Sequence, residues 1–319
     1  MDESANSEDL VRLKISHLIR FADSFAGVEI HLFINGKYVK LNYANEQFTD
    51  ILRKLQQKEM EEVYVNQSDC KKVLEQIQTS MQPKSFYDPK TTDQQRIETL
   101  DKSHEVAKSI INKLGVDKQT IEIMKTVNQK SMAMLQESPS IFAFIKNFKK
   151  NCSEEFMMAI ITGYLTSLVI EKFPWKSVQV KEKAALASIL CDITLKKEDF
   201  ALLKDHYLTG TELPPHVANH PTEVVNLLGK KKELIPTETM TIIEQHHELP
   251  DGSGFPLGIE LGRFNQLSTI FIICQRFTEM LFAENFDYNK RSEIITKLQH
   301  RYHGRNFDKA LGALISVVD

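Results

Sequence analysis

The spacing of hydrophobic positions changes period several times along the chain. Over residues 7–25, Leu10, Leu13, Leu18, Ala22 and Phe25 fall mainly on one helical face, and Gly27 supplies a C-terminal cap, so a first amphipathic helix is expected. Residues 28–34 then alternate, Asn35-Gly36 forms a two-residue turn, and residues 37–43 alternate again with Val39, Leu41 and Tyr43 in phase, which predicts a hairpin. Helical spacing returns at Phe48, Ile51, Leu52 and Leu55. Residues 62–65 read as a short strand, and Val73, Leu74, Ile77 and Met81 mark a helix that starts near Ser68 or Asp69. Residues 1–82 are therefore expected to form a small mixed α/β domain.

Pro83, Pro89 and a polar stretch without apolar periodicity predict a linker over residues 83–99. Beyond it, segments near 100–114, 118–135, 139–149, 153–172, 180–194, 197–207, 221–229, 237–247 and 265–283 carry apolar residues at helical spacing. They are broken at Gly115, Pro139, Pro174, Pro214-Pro215, Pro236 and Pro250. Residues 100–319 thus read as an all-helical domain, and the chain as α+β overall. The last thirty or so residues, with His300, His303 and Gly304, suggest no function.

Composition narrows the possibilities. At 319 residues and 42% hydrophobic, the chain can bury a substantial core, and its length suggests about two domains. The 40 basic and 43 acidic residues nearly cancel, to a net charge of -3 without long runs of one sign, so polymeric nucleic acid is not an expected partner. Cys70, Cys152, Cys191 and Cys274 are widely spaced, which disfavours a zinc ribbon or a disulfide framework and fits a reducing cytoplasm. The longest apolar run, residues 156–170, falls short of the roughly 20 residues that cross a bilayer, and the acidic start resembles no signal peptide. A cytoplasmic protein without a membrane span is expected.

The candidate chemistry concentrates in His246-His247-Glu248-Leu249-Pro250-Asp251-Gly252-Ser253-Gly254-Phe255-Pro256. Paired imidazoles beside carboxylates suggest a metal site. Adjacent residues on a regular helix point about 100° apart, so the two histidines can share one ion only where the helix ends or bends. Pro250 and Asp251-Gly252 supply that ending.

The pattern HHExxDGSGFP within a helical domain resembles the HHExxDGxGYP signature of HD-GYP proteins, metal-dependent phosphodiesterases that hydrolyse cyclic di-GMP. Upstream, residues 184–195 are similar to the family's helix ending in HDIGK, with Cys191 in place of histidine, Asp192 retained and Leu195 in place of lysine. Residues 219–228 resemble its HPxxGxxxL segment and keep His220, a metal-binding position in the family. Residues 268–278 are similar to its RIVxVADxFD helix, with Gln275 where a ligand aspartate would stand. A looser alignment puts Phe156 over the family's first ligand histidine, just after Glu154 and Glu155.

What the resemblance implies is uneven. One metal position of the family would have lost its ligands to Phe156, Cys191 and Gln275, while the other would keep Asp192, His220, His246 and His247. A single divalent transition metal (Fe, Mn or Zn) is expected there, held by three imidazoles and one carboxylate. In a two-metal site the ions share a nucleophile and neutralise charge on the attacked phosphate, so losing one removes much of that stabilisation. Leu195 cannot supply the positive charge of the lysine, and Phe255 lacks the tyrosine hydroxyl. Losing one such contact can cost roughly 3 kcal/mol of transition-state stabilisation, and several would slow hydrolysis by orders of magnitude. The leading expectation is a degenerate HD-GYP protein, a signalling regulator with weak or absent cyclic di-GMP phosphodiesterase activity. It would bind cyclic di-GMP or another nucleotide, or a protein partner such as a diguanylate cyclase (GGDEF) domain. The alternatives are an active mononuclear phosphohydrolase and a metal-free interaction scaffold.

Plainer roles stand beside these. Cys191 suits a small buried hydrophobe as well as a ligand, and Gln275 suits a hydrogen-bonded core amide as well as a weak metal or water contact. Glu154 and Glu155 suit a solvated helix start, where the dipole favours carboxylates. Asp251, Gly252, Ser253, Gly254, Phe255 and Pro256 form a candidate ligand loop, or merely a tight turn.

Overall fold

The computed structural model describes residues 9–19, 21, 28–41 and 48–318, and the chain is α+β. It divides into two compact units, Met1–Val127 and Asn128–Asp319. That division falls within the helix Lys118–Glu137 rather than in the polar segment 83–99 expected as a linker. The 83–99 segment carries the short helix Pro83–Phe86 and the start of Asp93–Leu114. Pro83 sits in the first turn, where its missing N–H costs nothing, and Thr92 with Gln95 forms a capping box.

The first unit holds a four-stranded antiparallel sheet, β1 (Leu10–Lys14), β2 (Ile30–Ile34), β3 (Lys37–Leu41) and β4 (Glu62–Asn66), in the order β1-β4-β2-β3. The expected hairpin is present, with Asn35 and Gly36 both at positive φ, as a tight two-residue turn requires. The helix expected over residues 7–25 is not: residues 10–14 form β1, followed by the short helix Ile15–Leu18. Val11, Leu13, Ile15 and Leu18 are all buried, and the ladder with β4 satisfies a backbone that helical periodicity also suited. Its proposed cap Gly27, and Tyr43 at the end of the hairpin pattern, lie outside the described residues.

The second unit is helical among the described residues. Its core is the packing of Glu154–Ile170 against Val178–Leu190 and Gln266–Ala283, with Thr237–Gln245 on Val178–Leu190. The close approach of the first pair depends on Gly163, where a Cβ would lie 2.5 Å from Ser188 Oγ. The final residues, unplaced by pattern, form Arg291–Arg301 and Asn306–Val318. The latter packs on Gln266–Ala283 and buries Phe307 and Leu314. Among the described residues no helix is long and apolar enough to cross a membrane.

Candidate metal centre

Each side chain of the centre comes from the end of a helix. Asp192 follows Val178–Leu190 by two residues, and His220 opens His220–Gly229 with Pro221 behind it. Thr237–Gln245 stops before the paired histidines, where the Glu248 N–H bonds back to the Gln245 carbonyl. The chain thus leaves helical geometry at the point where two consecutive imidazoles can converge, and their ring centroids lie 4.0 Å apart.

Asp192, His220, His246 and His247 each present a potential ligand atom, all within 4.8 Å of one another, and the histidines are buried. His220 Nε2 lies 3.1 Å from His246 Nε2 and 3.1 Å from Asp192 Oδ1, while His246 Nε2 lies 3.5 Å from the same oxygen. His220 Nδ1 is 2.6 Å from the Val217 carbonyl and His246 Nδ1 is 2.5 Å from that of Ile243. A carbonyl only accepts, so both Nδ1 atoms carry protons, and in a neutral ring Nε2 is then a bare lone pair.

Three acceptors therefore face one another, and the buried Asp192 Oδ1 has no well-formed hydrogen bond. Without a positive charge between them such atoms repel. A proton is poorly suited to that place, because burial pushes the His246 pKa below the usual imidazole range despite Asp192. Ligand atoms about 2.1 Å from one ion stand about 3.0–3.4 Å apart, close to these separations. The backbone-anchored imidazoles are also the usual arrangement of metal-bound histidine. The donor set therefore fits a divalent transition metal.

The other expected positions behave differently. Glu154 is exposed, and neither it nor Glu155 joins the cluster; Ser153 caps their helix through the Phe156 N–H. Phe156 is completely buried. Cys191 donates to the Ser188 carbonyl and Asp192 Oδ2, and burial raises its thiol well above the usual range. Gln275 donates from Nε2 to Glu279 Oε1, and Leu195 is buried.

Two residues carry no assignment from the sequence pattern. Arg276 donates from Nη1 to Glu279 Oε2 at 2.6 Å and from Nη2 to His247 Nδ1 at 2.9 Å, and all three residues are buried. The signal was present: Arg276 and Glu279 are the charged residues of an otherwise uncharged helix, Gln266–Ala283.

The segment after the histidines is a closed loop. Glu248, fully buried, accepts from the Leu257 and Gly258 N–H groups through Oε1 and from Ile259 through Oε2. Asp251 folds the turn by accepting from the backbone and hydroxyl of Ser253, and Gly252 adopts positive φ. Gly254 packs so tightly that a Cβ would lie 2.2 Å from the Leu249 nitrogen. The loop lays Phe255 over His247, with centroids 4.5 Å apart and planes 19° apart. Pro256 follows within this turn.

Comparison with known proteins supports the fold. No protein-family model and no curated protein matches the chain. Among solved structures it is similar to Bd1817, described as an HDG"Y"P protein from Bdellovibrio bacteriovorus. The TM-score is 0.57 at 16% sequence identity, over 97% of this chain and 99% of that one. The chain thus has an HD-GYP-type fold.

Proposed function

We propose that the chain is a cytoplasmic signalling regulator with one divalent transition metal in its helical unit and weak or absent hydrolysis of cyclic di-GMP. The observation that carries the metal is the mutual contact of three acceptors, His220 Nε2, His246 Nε2 and Asp192 Oδ1, with both imidazole protons directed away. His247 stands beside them under Phe255. A bound ion would supply Lewis acidity and positive charge toward a phosphate oxygen. The protein's own part is to orient His220 and His246 through backbone carbonyls and to cover His247 with Phe255.

The single-ion reading rests on what surrounds the rest of the centre. Phe156 and Leu195 offer no ligand atom, Cys191 keeps its proton, and Glu279 is engaged by Arg276 and Gln275. Among the described residues, Asp192, His220, His246 and His247 are the one group of three or more His, Cys, Asp or Glu side chains close enough to share an ion. The proposed ligand is cyclic di-GMP or another phosphodiester nucleotide, and the first unit would receive a signal or dock a partner such as a diguanylate cyclase domain.

Metal analysis of the purified full chain tests this reading directly. About one ion per chain, lost in His246→Ala, is expected; two ions, or none after incubation with Mn(II), Fe(II) or Zn(II), would overturn it. Fast cyclic di-GMP turnover that disappears in His220→Ala would replace the regulator with an active phosphodiesterase.

A further inference from the structure

Arg276 determines what its neighbour His247 can do. A guanidinium has only N–H donors, so at 2.9 Å from Arg276 Nη2 the Nδ1 of His247 must accept. Its ring proton then sits on Nε2. This inverts His220 and His246, whose protons are on Nδ1 because each Nδ1 faces a backbone carbonyl. Three clustered imidazoles thus carry two different tautomers, selected by what lies behind each ring.

The constraint on His247 is built deeply. Arg276 is 5% exposed and Glu279 2% exposed, and Glu279 pairs with Arg276 through Oε2 while Oε1 accepts from Gln275. Breaking a buried pair of this kind is costly, so the guanidinium is not readily withdrawn. Phe255, stacked directly on His247, holds the plane of its ring. A histidine whose Nε2 bears hydrogen cannot donate that nitrogen's lone pair to an ion.

We infer that Arg276 is a positioning residue that keeps His247 out of the metal's ligand set, leaving Asp192, His220 and His246 to bind the ion and His247 to offer an N–H to an anionic ligand oxygen. This rests on the reading of the site as a metal centre only for its consequence; the tautomer itself belongs to the metal-free protein.

Long-range 1H–15N correlation of the histidine side chains in the metal-free full chain tests it. His220 and His246 should appear as Nδ1–H and His247 as Nε2–H, with signals assigned by single His→Gln variants. In a paired Arg276→Met, Glu279→Met variant, which removes both charges together, nothing holds the proton on Nε2, so His247 is free to take the Nδ1–H form when an ion is offered and Zn(II) should bind about tenfold more tightly, the scale of effects on groups behind a ligand. Arg276→Lys retains a donor and should keep His247 as Nε2–H. A wild-type His247 found as Nδ1–H, or a Zn(II) affinity unchanged in the folded paired variant, would overturn the inference. Failure of the wild type to bind any metal, with the tautomers as stated, would remove the metal reading and leave the role of Arg276 standing.

Discussion

Removing the acceptor that closes the loop should separate anchoring from chemistry at Glu248. Its carboxyl group, fully buried, takes three backbone N–H groups, from Leu257, Gly258 and Ile259. Glu248→Gln exchanges one oxygen for an NH2 group, and in the less damaging orientation the nitrogen replaces Oε2 and faces the Ile259 N–H. That amide belongs to a residue 7% exposed, so it cannot readily find water, and a stranded buried donor costs about 1–3 kcal/mol. Glu248→Ala loses all three bonds, but Leu257 is 52% exposed and its part of the loop can hydrate. We expect about 2 kcal/mol for Gln and about 4 kcal/mol for Ala, counting about 1 kcal/mol for each rehydrated amide. Urea unfolding followed through Trp175, with Zn(II) affinity measured in parallel, gives both readouts. Stability within 0.5 kcal/mol of wild type for the Ala variant, with unchanged affinity, would show that Glu248 does not hold the loop and that its place after the histidines needs a chemical explanation.

Further expectations concern the loop, the ion and the first unit. Gly254→Ala places a Cβ against the backbone of Glu248 and Leu249, which cannot rotate away, so thermal stability should fall by about 1–3 kcal/mol or the loop should shift, visible as changed amide signals around His247. Zn(II) at a hundred times its dissociation constant should stabilise the wild type by about 2.7 kcal/mol, a gain that chelation reverses and that His220→Ala lacks in thermal melts. Burial pushes the pKa of His17 down to about 4, so between pH 6.5 and 4 the unfolded chain takes up a proton that the folded chain refuses. The first unit should therefore lose about 3 kcal/mol as pH falls through that window, and His17→Phe should reduce the loss in urea titrations followed by circular dichroism.

Legibility differed according to whether a signal was local. The hairpin was readable because Asn35-Gly36 demands its turn whatever surrounds it. Residues 10–18 were not, since Leu10, Leu13 and Leu18 satisfy a helical stripe while Val11 and Leu13 also pair with β4, a partner some fifty positions away. Pro83 looked like a break but begins a helix. Asp192, His220, His246 and His247 were legible as a set through their order and motif, and the structure brings them together at helix ends. Arg276 and Glu279 stand out as the charged residues of an apolar helix, but an (i, i+3) charge pair ordinarily marks a solvent-facing surface, so their partner His247 shows only in the tertiary packing. Glu248 looked like part of the reactive set, whereas its three bonds belong to the loop.

Charge links the buried pair to the proposed lack of turnover. A divalent ion beside the Asp192 carboxylate would leave about one positive charge at the centre, which matches the single negative charge of a phosphodiester. Arg276 and Glu279 cancel each other and add little net charge. Attack on the phosphorus by an anionic nucleophile would gather a second negative charge in the transition state, and catalysis requires that charge to be met by groups already in place. Leu195 adds none, and Arg276 is engaged by Glu279 and His247. On the proposed reading, a centre with this charge would be complementary to a phosphodiester rather than to its transition state, and binding without fast hydrolysis is the expected outcome of an equilibrium-binding and turnover assay with cyclic di-GMP.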